Sequence, residues 1–178
     1  MASHALPRPD LGEYNEYYAR YIGLVPDGDV EDILTREMRT TQELLASVPA
    51  GKEEFRYAEG KWSLREVVGH LIDTERLFAF RALWFVRTGG GELAGMDQET
   101  WARASSAGSR PLAELAAEWA ALRRANVLMF GSFSPEDGAR RGVASGFEVT
   151  VRALPWMIAG HELYHRARLR RDYLGEGS

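Results

Sequence analysis

His161-Glu162-Leu163-Tyr164-His165 places two imidazoles four residues apart near the C-terminal end of the chain. On a helix that spacing sets both rings on one face, about one turn apart, within reach of a single metal ion. The chain holds four histidines. His4 lies among the first ten residues, and His70 falls inside a strongly helical segment. One histidine on an apolar stripe is ordinarily a core residue with hydrogen-bonded ring nitrogens. Two on the same core-facing stripe need partners for four ring nitrogens. A metal takes one nitrogen from each ring and leaves the other for a carboxylate or a carbonyl. Adding His70 gives three neutral ligands and an open position for water, the arrangement of catalytic sites. The expectation is therefore a divalent metal on His70, His161 and His165. Zinc is the first choice, and nickel or ferrous iron also suits three imidazoles.

Read literally, His161-Glu162-x-x-His165 is also the H-E-x-x-H of zinc proteases, with Glu162 as general base. The chain around it argues against that scheme. Only residues 166–178 follow, and Arg168 and Arg171 stand where the extended pattern has glycine and the third histidine. No upstream strand offers an edge to hold a peptide. Glu162 flanks the histidine face, so it is either a catalytic residue orienting water or a histidine, or a salt-bridged helix residue. Glu75 falls near the centre of its helix's apolar face and reads as a buried partner for an arginine. Asn126 reads as an interhelical hydrogen-bonding residue or a group behind the ligands.

Composition narrows the chemistry further. At 178 residues the chain is expected to form one domain with a sizeable core. The net charge is -4 with acidic and basic residues interleaved, so no basic face for nucleic acid is expected. Cysteine is absent. A metal must then rely on histidine, carboxylate or water, and any nucleophilic sulfur must come from a cosubstrate. Residues 1–10 contain two prolines and no apolar run, and read as a flexible tail rather than a signal peptide. Residues 11–178 form the expected domain. No apolar stretch is long enough to span a bilayer, and the cytoplasm is the default location.

The histidines must be positioned by helices. A short helix is expected over 11–22 from the spacing of Leu11, Tyr14, Tyr17, Tyr18 and Tyr21, with the tyrosines as packing residues. Asp29 is a good N-cap for a long helix over 30–48. Ser63 and Glu66 form a capping box for a second, running to Thr88 and ended by Gly89-Gly90-Gly91. A third follows Pro111 and ends at Gly131, with Leu112, Leu115, Ala116, Trp119, Leu122, Asn126 and Phe130 as its stripe. The last begins near Thr150 or Leu154 and carries His161 and His165 where leucines would be expected. Residues 92–108 read as a long loop with one helical turn, and 132–149 as another, beside a weak two-residue alternation over Phe147-Glu148-Val149-Thr150-Val151. The class is all-α: four long helices, a short N-terminal one and long crossovers, an architecture that places metal sites between facing helices.

Three blocks of this chain resemble the DinB/YfiT-like family: Gly60 to Arg76, containing Trp62, Ser63 and His70; Met96-Asp97-Gln98-Glu99-Thr100-Trp101; and Thr150 to His165. The resemblance implies an up-down-down-up four-helix bundle, often a homodimer, with a divalent metal on three histidines that map onto His70, His161 and His165. It implies a small-molecule substrate, and in some members a low-molecular-weight thiol such as bacillithiol or mycothiol, used by metal-dependent S-transferases. Other members are described as metal-dependent hydrolases. The expected function is thus a metal-dependent thiol transferase or hydrolase. The alternative is a non-catalytic, metal-stabilised dimeric binding protein associated with stress, whose metal shell would be closed by a fourth protein ligand.

Overall fold

The computed structural model describes residues 6–176. His4 lies outside them. The expected tail does not extend through residue 10, because its second half is packed. Leu6 is buried, and its carbonyl accepts from Trp156 Nε1 at 3.1 Å. The Arg8 guanidinium lies 4.4 Å from the Trp156 ring and donates to the carbonyls of Ile22 and Val25. The expected helix over 11–22 is broken into two single turns, Leu11–Glu13 and Glu16–Tyr18, followed by a short helix α1, Ala19–Ile22. The break has a local cause: Asn15 is extended and its side chain accepts from the Tyr17 backbone N–H, a turn that competes with helix.

The long helices start where their caps stand. Asp29 accepts from the N–H groups of Glu31 and Asp32 and opens α2, Val30–Ala46. The Ser63–Glu66 capping box is formed in both directions and opens α3, Leu64–Thr88, which Gly89 ends at φ 81°. Between the second and third long helices stand β1, Glu92–Leu93, and a short α4, Gln98–Ala104, capped by Asp97. Then come α5, Leu112–Phe130, and a short α6, Pro135–Ala139. A hairpin of β2, Arg141–Ala144, and β3, Phe147–Thr150, leads to α7, Ala153–Arg168.

The hairpin replaces the expected loop. Ser145 and Gly146, at φ 57° and 81°, form the two-residue turn whose twist suits paired strands. β2 pairs antiparallel with β3 and parallel with β1, so a small sheet of order β1-β2-β3 caps one end of the bundle. In the sequence the hairpin shows only as the weak alternation Phe147-Glu148-Val149-Thr150-Val151, because the strands are short.

Two apolar clusters give the topology. One joins Val30, Phe85, Phe130 and Leu154, and the other joins Leu45, Leu64, Leu115 and Leu169. The start of α2 and of α7 therefore lies beside the end of α3 and of α5. α2 packs on α5 and α7, and α3 packs on the same two helices. The result is the up-down-down-up four-helix bundle. Among the described residues no helix is long and apolar enough to cross a membrane.

Two glycines let irregular segments come close to the histidine helices. A Cβ on Gly69 would stand 2.4 Å from Ala107 Cβ, and one on Gly160 would stand 2.2 Å from the Tyr21 carbonyl oxygen. Each immediately precedes a histidine, His70 or His161. Gly160→Ala has no flexible neighbour to displace, so α1 must move away. The expected loss of stability is about 1–3 kcal/mol in urea unfolding. Gly12→Ala, with open space around it, should change stability by less than about 0.5 kcal/mol. Equal effects of the two would contradict this packing.

Candidate metal centre

His70 sits in the second turn of α3, and His161 and His165 lie one turn apart in the second half of α7. The antiparallel packing of those helices brings all three rings together. Their potential ligand atoms lie within 4.8 Å of one another. The Nε2 atoms of His70 and His161 are 3.1 Å apart. Two imidazole nitrogens on one tetrahedral zinc, each at about 2.0–2.1 Å, stand about 3.3 Å from each other. The donor set therefore fits a divalent ion, with the His70–His161 pair near ligand spacing. Among the described residues no carboxylate joins the group.

The electrostatics also suit a ligand set. Burial pushes the His70 ring down to about 4. Burial, then the neighbouring His70 and Arg168, push His165 down to about 3. His161 is held well below its ordinary value by burial, then by His165, His70 and Arg20. At neutral pH all three rings are uncharged and keep a lone pair. Thr74 Oγ1 lies 3.4 Å from His70 Nδ1 and can accept its proton, which leaves Nε2 facing the other histidines. Around them stand Trp62 against His70 at 4.8 Å, Tyr21 edge-on to His161 at 5.5 Å and Tyr164 edge-on to His165 at 5.3 Å, between ring centroids.

Glu162 takes the structural one of its two expected roles. It is buried, its Oε1 accepts from Thr41 Oγ1 at 2.7 Å, and its Oε2 accepts from Arg123 Nη1 at 2.5 Å. A carboxylate held this way is not the general base of a zinc protease. Arg123 is the centre of the arrangement. Its Nε and Nη2 grip both oxygens of Glu75 at 2.8 Å each, and Nη1 also donates to the Leu34 carbonyl. Glu75 accepts further from Trp119 Nε1 and Asn126 Nδ2. Burial alone would lower the Arg123 pKa, but the charges of Glu162 and Glu75 outweigh it and raise it. Glu75 thus has its arginine, and Asn126 bonds to Glu75 rather than to a histidine.

Cavities open on the histidines from two sides. One, of about 400 Å³, is lined by His165, Tyr164, Arg168, Arg20, Lys61 and Gln98. The other, of about 280 Å³, is lined by His70, His161, Tyr18, Phe78, Arg81 and Met96. Tyr17, Tyr21 and Gln98 border both. The N-terminal tyrosines, expected as packing residues, therefore also wall the site. The signal for them was Gly160, an isolated glycine in a helix directly before a ligand, which marks a close backbone approach.

A family model described as the DinB superfamily matches residues 33–169. No curated protein matches in sequence. Among solved structures the chain is similar to YfiT from Bacillus subtilis, described as a probable metal-dependent hydrolase with an unusual four-helix bundle topology. The two share 16% identity at a TM-score of 0.67, covering 95% of this chain and 94% of that one. At that identity the likeness establishes the fold.

The depressed histidines make a pH prediction for metal-free protein. Between pH 6.5 and 5.5 the unfolded chain protonates its histidines, while the folded rings, with pKa values of about 4 for His70 and about 3 for the half-buried His165, stay neutral. The unfolded state binds more protons there, so stability falls as pH falls, by about 1 kcal/mol per histidine across that window. Urea unfolding at the two pH values measures the loss, and His165→Leu should reduce it by about a third. Equal stability at both values would contradict the buried, neutral assignment.

Proposed function

The chain belongs to the DinB superfamily, and from that membership we propose that His70, His161 and His165 hold one divalent metal in a metal-dependent enzyme, a thiol-dependent transferase or a hydrolase. The observation that carries this reading is a cluster of three neutral imidazoles, open on two sides, with no fourth protein ligand among the described residues. A closed shell would suit the non-catalytic alternative; the open one favours chemistry.

Zinc is the first choice for the ion, and nickel or iron remains compatible with the donors. Such an ion supplies Lewis acidity, which favours the thiolate of a thiol or the hydroxide form of water at neutral pH. The rest is the work of this chain. Thr74 orients His70. Tyr21 and Trp62 shield the histidines from bulk water. Arg20, Lys61 and Arg168 line the cavity on the His165 side, where they suit the acidic or polyhydroxyl groups of a low-molecular-weight thiol. The reacting partner then enters from the His70 and His161 side. With no cysteine in the chain, sulfur chemistry depends wholly on that cosubstrate.

Elemental analysis of the purified protein should give about one divalent ion per chain, and His161→Ala should lose most of it. Turnover of an aryl halide is then measured with and without added thiol, and turnover of an activated ester without thiol, each before and after chelation. The proposal expects one of the two reactions, abolished by chelation and restored by metal. Activity that survives chelation removes the metal mechanism. A metal-free wild type that takes up no added ion removes the site.

A further inference from the structure

Two arginines of the bundle are almost fully buried, and they are treated very differently. Arg123, at 1% exposure, is gripped by two carboxylates, whereas Arg81, at 2%, is within ion-pair distance of none among the described residues. Arg81 Nη2 donates to the Ala94 carbonyl at 2.9 Å and to Ser145 Oγ at 3.0 Å, and its Nε has no hydrogen-bond partner among the described residues. A buried guanidinium with only neutral acceptors is costly unless something supplies the missing charge.

The position of that charge gives it a use. Arg81 follows Thr74 and Phe78 along the face of α3 that begins with His70. It borders the 280 Å³ cavity that contains His70 and His161, and also a second cavity of about 330 Å³ walled by Leu154, Met157, Val149 and Phe147. Tyr17, Tyr18 and Ser145 border both cavities. Eleven residues of helix put the Cα atoms of His70 and Arg81 about 16 Å apart, and helical side chains lean toward the N-terminus. Both side chains lean the same way, so the guanidinium lies up to about 16 Å from the His70 ring, with Thr74, Leu77 and Phe78 lining the way between.

We propose that Arg81 anchors the carboxylate of an amphiphilic substrate whose apolar body lies in these cavities and whose reactive end reaches the histidines. The reactive end rests on the metal reading above; the anchor does not. A carboxylate fits better than a phosphate. Among the described residues Arg81 is the only arginine or lysine lining either cavity, and Glu148 borders the second. A phosphate monoester with about −1.5 to −2 charge would be left undercompensated.

The test is calorimetric titration of octanoate, octan-1-ol and octyl phosphate into wild type, Arg81→Met and Arg81→Lys. Each protein is studied metal-free and after addition of zinc. In metal-free wild type, octanoate should bind saturably and at least about tenfold more tightly than octanol. Arg81→Met should bind the two alike, and Arg81→Lys should retain part of the preference. Failure of the metal site leaves these results unchanged, so the two proposals fail separately. The selectivity of the wild type decides even if Arg81→Met does not fold. Equal binding of octanoate and octanol, or an unchanged preference in a folded Arg81→Met, would show that Arg81 only ties Ala94 and Ser145 to α3. Tighter binding of octyl phosphate than octanoate would overturn the carboxylate assignment.

Discussion

The bundle is organised around one buried guanidinium. Arg123, on α5, grips Glu75 on α3 and Glu162 on α7 and donates to the Leu34 carbonyl on α2. All four long helices meet on a single side chain. Removing one partner from such a buried group typically costs about 3–5 kcal/mol, whereas replacing the whole set with well-packed apolar residues is often neutral. The energy therefore does not explain the arrangement, but the geometry does. Glu162 adjoins His161 in sequence, and Glu75 adjoins Thr74, which orients His70. A slip of α3 against α7 would leave a carboxylate buried without its cation. The clamp fixes the register of the two helices that carry the three histidines.

This division of labour accounts for the H-E-x-x-H sequence. Its histidines face the cavities, and its glutamate points into the clamp, where Thr41 and Arg123 occupy both oxygens. Apparent protease logic dissolves into a split site whose third histidine comes from another helix. The irregular segments complete it. Gly160 admits the Tyr21 backbone beside His161, and Gly69 admits Ala107 beside His70. The walls are thus made by segments with little regular structure, pressed onto helices that the clamp holds in place.

The parts of this account that were legible in the sequence are local. Asp29 and the Ser63–Glu66 box marked the helix starts because caps are short-range hydrogen bonds, and the i,i+4 histidines marked a shared face. Glu75 stood out as a carboxylate on an apolar stripe. Arg123 was equally readable, since 115, 119, 123, 126 and 130 follow helical spacing, yet Leu122 is the apolar residue that draws the eye, and it is only half-buried. Arg81 hid the same way between Phe78 and Phe85. The hairpin at Ser145-Gly146 showed only as a weak alternation over 147–151, and the packed residues 6–10 and the placement of the tyrosines were not legible. The last two depend on contacts between distant segments, Leu6 with Trp156 and Tyr21 with Gly160; Gly160 marks a close approach on α7 but not the segment that makes it.

The central claim is a single metal held by three histidines on two helices with one position open. Anomalous diffraction at the zinc edge from crystals of the zinc-loaded protein addresses it directly. One strong peak is expected, bonded to His70, His161 and His165 at about 2.0–2.1 Å, with solvent in the remaining position. A peak elsewhere, or one completed by a fourth protein side chain such as Glu162 released from Arg123, would contradict it.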